Sequence, residues 1–410
     1  MSLCRYLPTP SDRMGILWTL LCVEGSVILE YGPAGTTHYS MGLFGELGIE
    51  QQNRLFSTHM SEDDVVMGDV SRLERALLEV DEGYAPKVIF VVASSVSAVI
   101  GTDLRGVCAY MQDKVKARLI AFEQGGFRGD YSVGIREAYR LLAEQVVEPS
   151  AEKQRGVYNI LGASAWNYRA LSDVNEIRRL MKEAFDMECG ACLCLETDAE
   201  AIRTCGGAEI NLVLRDEALP AARAMSASCG TAFAEGAPYG YKGTLAWLEK
   251  VGQAIGRRVH PKLMAQLRKR SMEAAQYRMY GMMLKKHRPA VTVMADYPVV
   301  RGLAGFMEEI GFPVANQVSM HSLRAVENPA EDVRYLPVEK ERIELLRGLS
   351  HQLVMADDVA ARLIGDDNTY LRVSMPLVDG AQIATHMPLC GPRGADMILE
   401  SVERYLQTLK

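Results

Sequence analysis

The chain reads as an α/β protein built from three doubly wound, Rossmann-like parallel-sheet units. Three observations lead there. Apolar runs rich in β-branched residues recur at Val27-Ile28-Leu29, Lys87–Ala93, Val157–Gly162, Glu209–Leu214 and Ala290–Asp296. Strands buried on both faces need runs of this type. Stretches with helical apolar spacing lie between them, and that alternation implies crossover helices over a parallel sheet. At 410 residues the chain is too long for one ordinary domain. The units are placed at 1–150, 151–286 and 287–410, with a polar linker at Glu148–Gly156 and a closing helix at the end.

An apolar helix over Met14–Cys22 leads into the first strand, which stops at Gly32-Pro33-Ala34-Gly35. Two glycines permit close backbone approach, and Pro33 fixes the turn. Thr36, Thr37, His38, Tyr39 and Ser40 follow, and a second polar loop, Ser57–Asp64, carries His59. Polar loops at the ends of buried strands commonly carry sites, and each histidine is either structural or a ligand or proton donor. Glu62-Asp63-Asp64 fits acidic capping of a helix N-terminus. Ser71 with Glu74 reads as an N-cap and its capping-box partner on a helix to Leu78. The strand Lys87–Ala93 ends in Ser94-Ser95, and a helix is expected from Ser97 past Cys108. The strand Arg118–Phe122 runs into Gly125-Gly126-Phe127-Arg128-Gly129. That loop is either a plain turn or an anion cradle with Arg128 as its pairing group. It is neither GxGxxG nor GxxxxGK[ST], which excludes the standard nucleotide loops. A helix over Gly134–Gln145 closes the unit.

In the second unit Asp173 is expected to cap a helix to Phe185, followed by a Cys-rich strand over Glu188–Leu195. Cys189, Cys192 and Cys194, with Cys205 nearby, are either small apolar thiols in a buried strand or ligands for zinc or iron–sulfur. Helices over Thr244–Ile255 and Pro261–Lys286 come next. The third unit opens with Ala290–Asp296 and a helix ending at Gly311, then strands at Leu353–Met355 and Tyr370–Val373. His386 and Arg393 flank Pro388–Pro392 ahead of the last helix, Arg393–Leu409. That loop is a turn or a ligand loop at a helix N-terminus.

Composition narrows the function. A net charge of −7 leaves no basic footprint for nucleic acid. No apolar run reaches the roughly 18 residues of a membrane span. The opening residues, MSLCRYLPTPSDRMG, lack a signal-peptide pattern, so a cytoplasmic protein is expected. Its nine cysteines should then be thiols or metal ligands and not disulfides.

The motifs together resemble the component 1 family of nitrogenase, whose members include the nitrogenase molybdenum–iron protein subunits, cofactor-assembly scaffolds and dark protochlorophyllide reductases. Gly32–Ser40 followed by Ser57–Leu78 is similar to the family's Gly-Pro-x-Gly-Cys loop and the Ser-Thr-rich motif after it. Ala93-Ser94-Ser95 with Ile100–Asp103, Gln124–Gly129, Tyr158–Gly162 and Met375–Asp379 resemble further family segments, so the likeness spans nearly the whole chain. It implies three units around a central cleft and an iron–sulfur cluster shared at a subunit interface. It also implies electrons from an ATP-dependent iron protein, and pairing with a homologous subunit or a second copy. Cluster cysteines of the family fall here on Ser11, Thr36 and Ser95. Neutral hydroxyls are poor cluster ligands, which leaves Cys4, Asp12 and Cys22 as candidate metal ligands, or a cluster held mainly by the partner, or none on this chain. Gly32, Gly35, Thr36, Ser95, Gly125, Gly126, Arg128 and Arg393 are the candidate cofactor-binding residues, and His38, His59 and His386 the candidate proton donors. The family's cofactor-ligating Cys and His would fall near Arg215 and Ala381, and both are absent. The substrate of such a reductase is expected near Gly125–Gly129, Thr197, His386 and Arg393. The alternative from a different class is a non-catalytic scaffold that holds a metallocofactor or tetrapyrrole precursor.

Overall fold

The computed structural model describes residues 3–6, 9–38, 40, 54–150, 152–283, 288–378 and 384–408 of the 410. Three parallel sheets carry the fold. The first runs in the spatial order Leu55–Ser57, Ser26–Tyr31, Val88–Ala93, Arg118–Phe122. The second runs Ala232–Glu235, Ala208–Val213, Gln154–Leu161, Glu188–Cys192. In the third the order is Val333–Tyr335, Val314–Ser319, Val291–Ala295, Leu353–Ala356, Thr369–Arg372. The expected α/β class with doubly wound parallel sheets is therefore what the chain adopts.

In every sheet the chain enters at a central strand, builds outward to one side, then returns to the other. Where the direction reverses, the loops leave toward opposite faces and open a crevice beyond the strands' C-terminal ends. Those points fall at Gly32 and Ser94, at Gly162 and Leu214, and at Asp296 and Asp357. The central strands are apolar because helices cover both of their faces, and all six residues of Val88–Ala93 are buried.

Two glycines join the first sheet's helices. All nine residues of the helix Asp12–Leu20 are buried, and it packs along Tyr131–Gln145. A Cβ on Gly15 would lie 2.0 Å from the Tyr131 carbonyl oxygen, and one on Gly134 would lie 1.7 Å from that of Asp12. Only glycine allows backbones this close. Trp18 of the same helix stacks on Trp166, with ring centroids 4.0 Å apart. A short parallel pair, Val23–Glu24 with Thr197–Asp198, adds a second tie to that part of the chain.

Several local expectations are corrected. Val70, not Ser71, is the N-cap of the helix Ser71–Tyr84, because the Ser71 hydroxyl and N–H both turn back to Asp69. The helix expected from Ser97 past Cys108 is two helices, Ser95–Val99 and Leu104–Met111. Gly101 takes a left-handed φ of 72° between them, and Asp103 caps the second by accepting from the Gly106 N–H at 2.8 Å. Asp173 does not cap its helix, which spans Ala170–Phe185 with Arg169 at the N-cap. The Cys-rich strand ends at Cys192, and Cys194 turns away with a φ of 65°. Leu55–Ser57, Ala232–Glu235, Val314–Ser319 and Val333–Tyr335 are strands that the apolar pattern did not single out. They are short or polar because each lies at or next to a sheet edge.

Candidate functional site

Residues proposed from sequence gather first at the C-terminal edge of the first sheet. A Cβ on Gly32 would meet the Ser94 Cβ at 2.3 Å and the Thr36 Oγ1 at 3.3 Å. One on Gly125 would meet Ser95 Cα at 3.3 Å, and one on Gly126 would meet Ser11 Oγ at 3.2 Å. The glycines thus draw Ser11, Thr36 and Ser95 around one crevice, although they lie far apart in sequence. Asp12 is fully buried beside it and accepts N–H bonds from Arg13 at 2.7 Å and Arg128 at 2.9 Å. Burial raises its pKa above the ordinary value, against the lowering effect of those N–H groups. Arg128 therefore meets Asp12 through its backbone.

Behind this crevice lies an ion pair that the sequence reading missed. Arg13 meets Glu30 at 2.5 Å with both side chains buried, and Arg13 also donates to Ser40 at 3.1 Å. Thr37 donates to the other Glu30 oxygen at 3.0 Å. Residues 34–38 and 40 are helical, so the network fastens that turn to the helix Asp12–Leu20.

The donor set at this crevice does not fit an iron–sulfur cluster. Thr36 Oγ1 donates to the Pro33 carbonyl at 2.8 Å, Asp12 is occupied by backbone N–H groups, and the residues at positions 11, 36 and 95 are hydroxyls and not thiols. Cys4 is exposed and donates to Glu339 at 3.3 Å. Cys22 lies past the other end of the helix Asp12–Leu20, where burial pushes its thiol up to about 11. Among the described residues no group of three or more His, Cys, Asp or Glu side chains is placed to hold a metal ion, and this includes Cys189, Cys192, Cys194 and Cys205. Burial raises the pKa of all four of those thiols, Cys205 to about 12. A thiol held protonated is a poor metal ligand.

The candidate histidines do not converge. His38 and His59 are exposed near the first sheet's edge, and His59 has a φ of 52°. His386 is exposed on the loop before the last helix. That loop is held to the helix Ala170–Phe185, where Asp173 accepts N–H bonds from Leu389 at 2.7 Å and Cys390 at 3.0 Å. Arg393 faces Glu176 at 3.7 Å, also away from the first sheet. Thr197 pairs with Val23, before the first strand and so at the end opposite Gly32. Ala381 lies outside the described residues.

A second group of polar side chains lies where the three sheets meet. Tyr131 donates to Asp296 at 2.5 Å, and Arg215 donates to the other Asp296 oxygen at 2.9 Å. Each of the three residues comes from a different sheet's surroundings. The Arg215–Asp296 pair is almost fully buried, and burial with the neighbouring carboxylates raises the Tyr131 pKa well above its ordinary value. Asp130 extends the network by accepting from the Ser322 N–H at 2.6 Å. His321 is buried there too. Its Nε2 accepts from the Tyr297 N–H at 3.1 Å, so Nδ1 carries the proton and faces the Ser322 carbonyl at 3.1 Å. Glu217 lies 3.6 Å from that ring. Sequence reading singled out Arg215 only as a position lacking a cysteine, and it missed His321 because the strand before it, Val314–Ser319, is polar.

Beside this network a cavity of about 530 Å³ opens between the second sheet's edge and the helices Gly240–Ala254 and Tyr297–Glu309. Arg215, Asp216, Glu235, Lys242, Arg301 and Glu309 supply its charged lining.

Three parallel doubly wound sheets, tied to one another through Tyr131, Arg215 and Asp296, define a three-sheet α/β protein. The family model for nitrogenase component 1 type oxidoreductase matches residues 11–407, and the chain belongs to that family. It is 29% identical over 253 residues to the nitrogenase iron-molybdenum cofactor biosynthesis protein NifE of Nostoc sp., covering 59% of this chain and 50% of that protein. It is 32% identical over 152 residues to component CfbD of the Ni-sirohydrochlorin a,c-diamide reductive cyclase complex of Methanothermobacter thermautotrophicus, covering 37% of this chain and 41% of that one. The chain spans about half the length of the curated relatives it matches. The fold matches the solved structure of nitrogenase Cp1 at pH 6.5 with a TM-score of 0.80 at 17% identity, over 100% of this chain and 94% of that one. No helix among the described residues is long and apolar enough to cross a membrane.

Proposed function

We propose that this chain is a subunit of a nitrogenase-like oxidoreductase that receives low-potential electrons from an ATP-dependent iron protein. A homologous partner subunit, or a second copy, then supplies the ligands of any cluster at the interface. The observation that carries this reading is the first-sheet crevice. Its loops hold Ser11, Thr36 and Ser95 in close glycine packing, while the Thr36 hydroxyl and Asp12 are directed to backbone. Val66, Met67, Val99 and Phe127, on loops and short helices at that same sheet edge, are exposed apolar side chains of the kind a partner covers. The likeness to a component of a reductive cyclase complex supports the same reading.

The second reading, a scaffold for a metallocofactor or tetrapyrrole precursor, draws on the likeness to NifE cofactor biosynthesis proteins. Anaerobic purification of the chain, alone and co-expressed with a component 1-type partner, separates the readings through iron and sulfide assays and an absorbance scan. The reductase reading expects iron in the co-purified complex and oxidation of that cluster when substrate is added. Iron-free protein under both conditions overturns it. Cargo that is bound but never reduced by iron protein with ATP favours the scaffold.

A further inference from the structure

The helix Pro261–Met283 carries two seams of heptad spacing, and the fold uses one of them. On its inner side Leu263, Leu267, Ala274 and Gly281 are buried, and the helix packs along Gly240–Ala254 and Tyr297–Glu309. On its outer side Ala265, Arg268, Met272, Ala275, Met279 and Met282 are all exposed. They step by three and four residues in turn, the spacing at which one helix meets another. Met272, Met279, Tyr280, Met282 and Met283 are each 50–69% exposed, and among the described residues no other helix leaves as many large apolar side chains uncovered. The solvent face of a surface helix is ordinarily charged or polar, and a clustered apolar face marks an interaction site. Methionine suits such a face, because its unbranched side chain repacks against different partners.

The charge around this seam is one-sided. Residues 256–289 contain ten Lys or Arg and a single acid, Glu273, in a chain whose net charge is −7. Part of that charge is engaged within the fold. Arg257 pairs with Glu209 at 2.7 Å, and Arg270 pairs with Asp396 at 2.6 Å and Glu273 at 3.2 Å. Lys269 is 3.9 Å from the same Glu273. Arg258, Lys262 and Arg268 are exposed and make no ion pair among the described residues. The outer face therefore offers cations beside its N-terminal half and methionines along its C-terminal half.

Those two properties select the occupant. A second copy would set this basic face against itself, and like charges across a helix pair repel. A membrane-surface helix inserts Trp, Phe or Leu, whereas this outer face presents Met, Ala and one Tyr. We propose that the outer face of Pro261–Met283 docks an acidic amphipathic helix of a partner protein. The partner's apolar seam lies on Met272, Ala275, Met279 and Met282, and its carboxylates face Lys262, Arg268 and Lys269. The surface is independent of whether the chain works as a reductase subunit or as a scaffold.

The test is fluorescence anisotropy of the full chain with labelled synthetic helices of about three heptads, matching the roughly 34 Å of this one. One peptide has Leu in its seam and Glu on the flanks, a second has Lys on the flanks, and a third is a scramble of the acidic one. The acidic peptide is expected to bind, more weakly as salt rises, with the scramble weaker by about tenfold and the basic peptide not binding. Met272→Glu with Met279→Glu, both at exposed positions, should weaken binding by about tenfold or more at an unchanged melting temperature. Lys262→Glu with Arg268→Glu removes two cations without an ion pair and should shift the preference toward the basic peptide. Absence of acidic-peptide binding overturns the proposal, as does equal binding of the scramble or undiminished binding to the folded Met272→Glu, Met279→Glu protein. Sedimentation with vesicles of phosphatidylserine and phosphatidylcholine that this pair of substitutions abolishes would assign the face to a membrane instead. Concentration-dependent dimerisation lost in the same variant would assign it to a second copy, and either result overturns the proposal. Iron-free protein in the co-expression experiment leaves all these outcomes unaffected.

Discussion

The crevice beyond Tyr31 and Ala93 and the one beyond Val213 come from the same winding rule, yet they differ in chemistry. In the first, Cβ atoms built on Gly32 and Gly125 would collide at 2.3 and 2.2 Å with Ser94 and Ala98. Backbone closeness therefore fills the space, and the Thr36 and Ser94 hydroxyls serve local turns. In the second, Arg215 and Asp296 form a buried pair, and about 530 Å³ stays open beside them. A topological switch point thus determines where a crevice forms, while the side chains determine whether it closes on itself or stays open.

The largest test of this contrast is Arg215→Met. It leaves Asp296 buried with Tyr131 as its remaining side-chain donor, and urea unfolding should report a loss of about 3–5 kcal/mol. Adding Asp296→Leu should recover much of that loss. A single-variant loss near zero would mean that the pair is hydrated and that the two crevices differ little.

Gly32→Ala tests the closed side. With Ser94 Cβ at 2.3 Å from the new methyl, the backbone must move, at a cost of about 1–3 kcal/mol in the same assay. Wild-type stability in this variant would show that the first crevice has slack.

A pH experiment sharpens the electrostatic side. Burial raises Asp173 from 3.8 to about 6, outweighing the N–H bonds from Cys390 and Leu389. The native state then keeps a proton that the unfolded chain releases at lower pH. This group's contribution is full below 3.8 and is lost as pH rises through about 6. Asp173→Asn lacks this dependence. Its unfolding midpoint relative to the parent should therefore improve as pH rises across that window, and a constant difference would exclude a raised native pKa.

The smallest effect belongs to the open cavity. Gly305→Ala adds a methyl that meets nothing within 4 Å inside the helix Tyr297–Glu309. It should stabilise the protein by about 0.5–1 kcal/mol through helix propensity. A destabilised variant would place unseen packing against that wall.

Much of the fold was legible because buried parallel strands need β-branched apolar runs. Val88–Ala93, Arg118–Phe122 and Val291–Ala295 are such runs, and their places follow from pattern alone. The loops after them read as candidate site loops for the same reason. Edge strands such as Val333–Tyr335 escaped, since one exposed side relaxes the apolar requirement. The central network escaped more fully. Tyr131, Arg215, Asp296 and His321 look like ordinary polar residues at element ends, and no spacing rule links positions 131, 215, 296 and 321.

The amino-acid sequence by itself determined the class of fold, the alternation of strand and helix, and that positions 11, 36 and 95 carry hydroxyls. Each of these is a local property of residue type and period. Tertiary structure alone decided which loops share a crevice, that Asp12 is held by the backbone of Arg13 and Arg128, and that Arg215 meets Asp296. It also decided that Gly125 is closed in while Gly305 faces open space. The physical reason is that closeness between distant residues depends on how sheets and helices pack, and two glycines of equal flexibility differ only in what that packing brings to them.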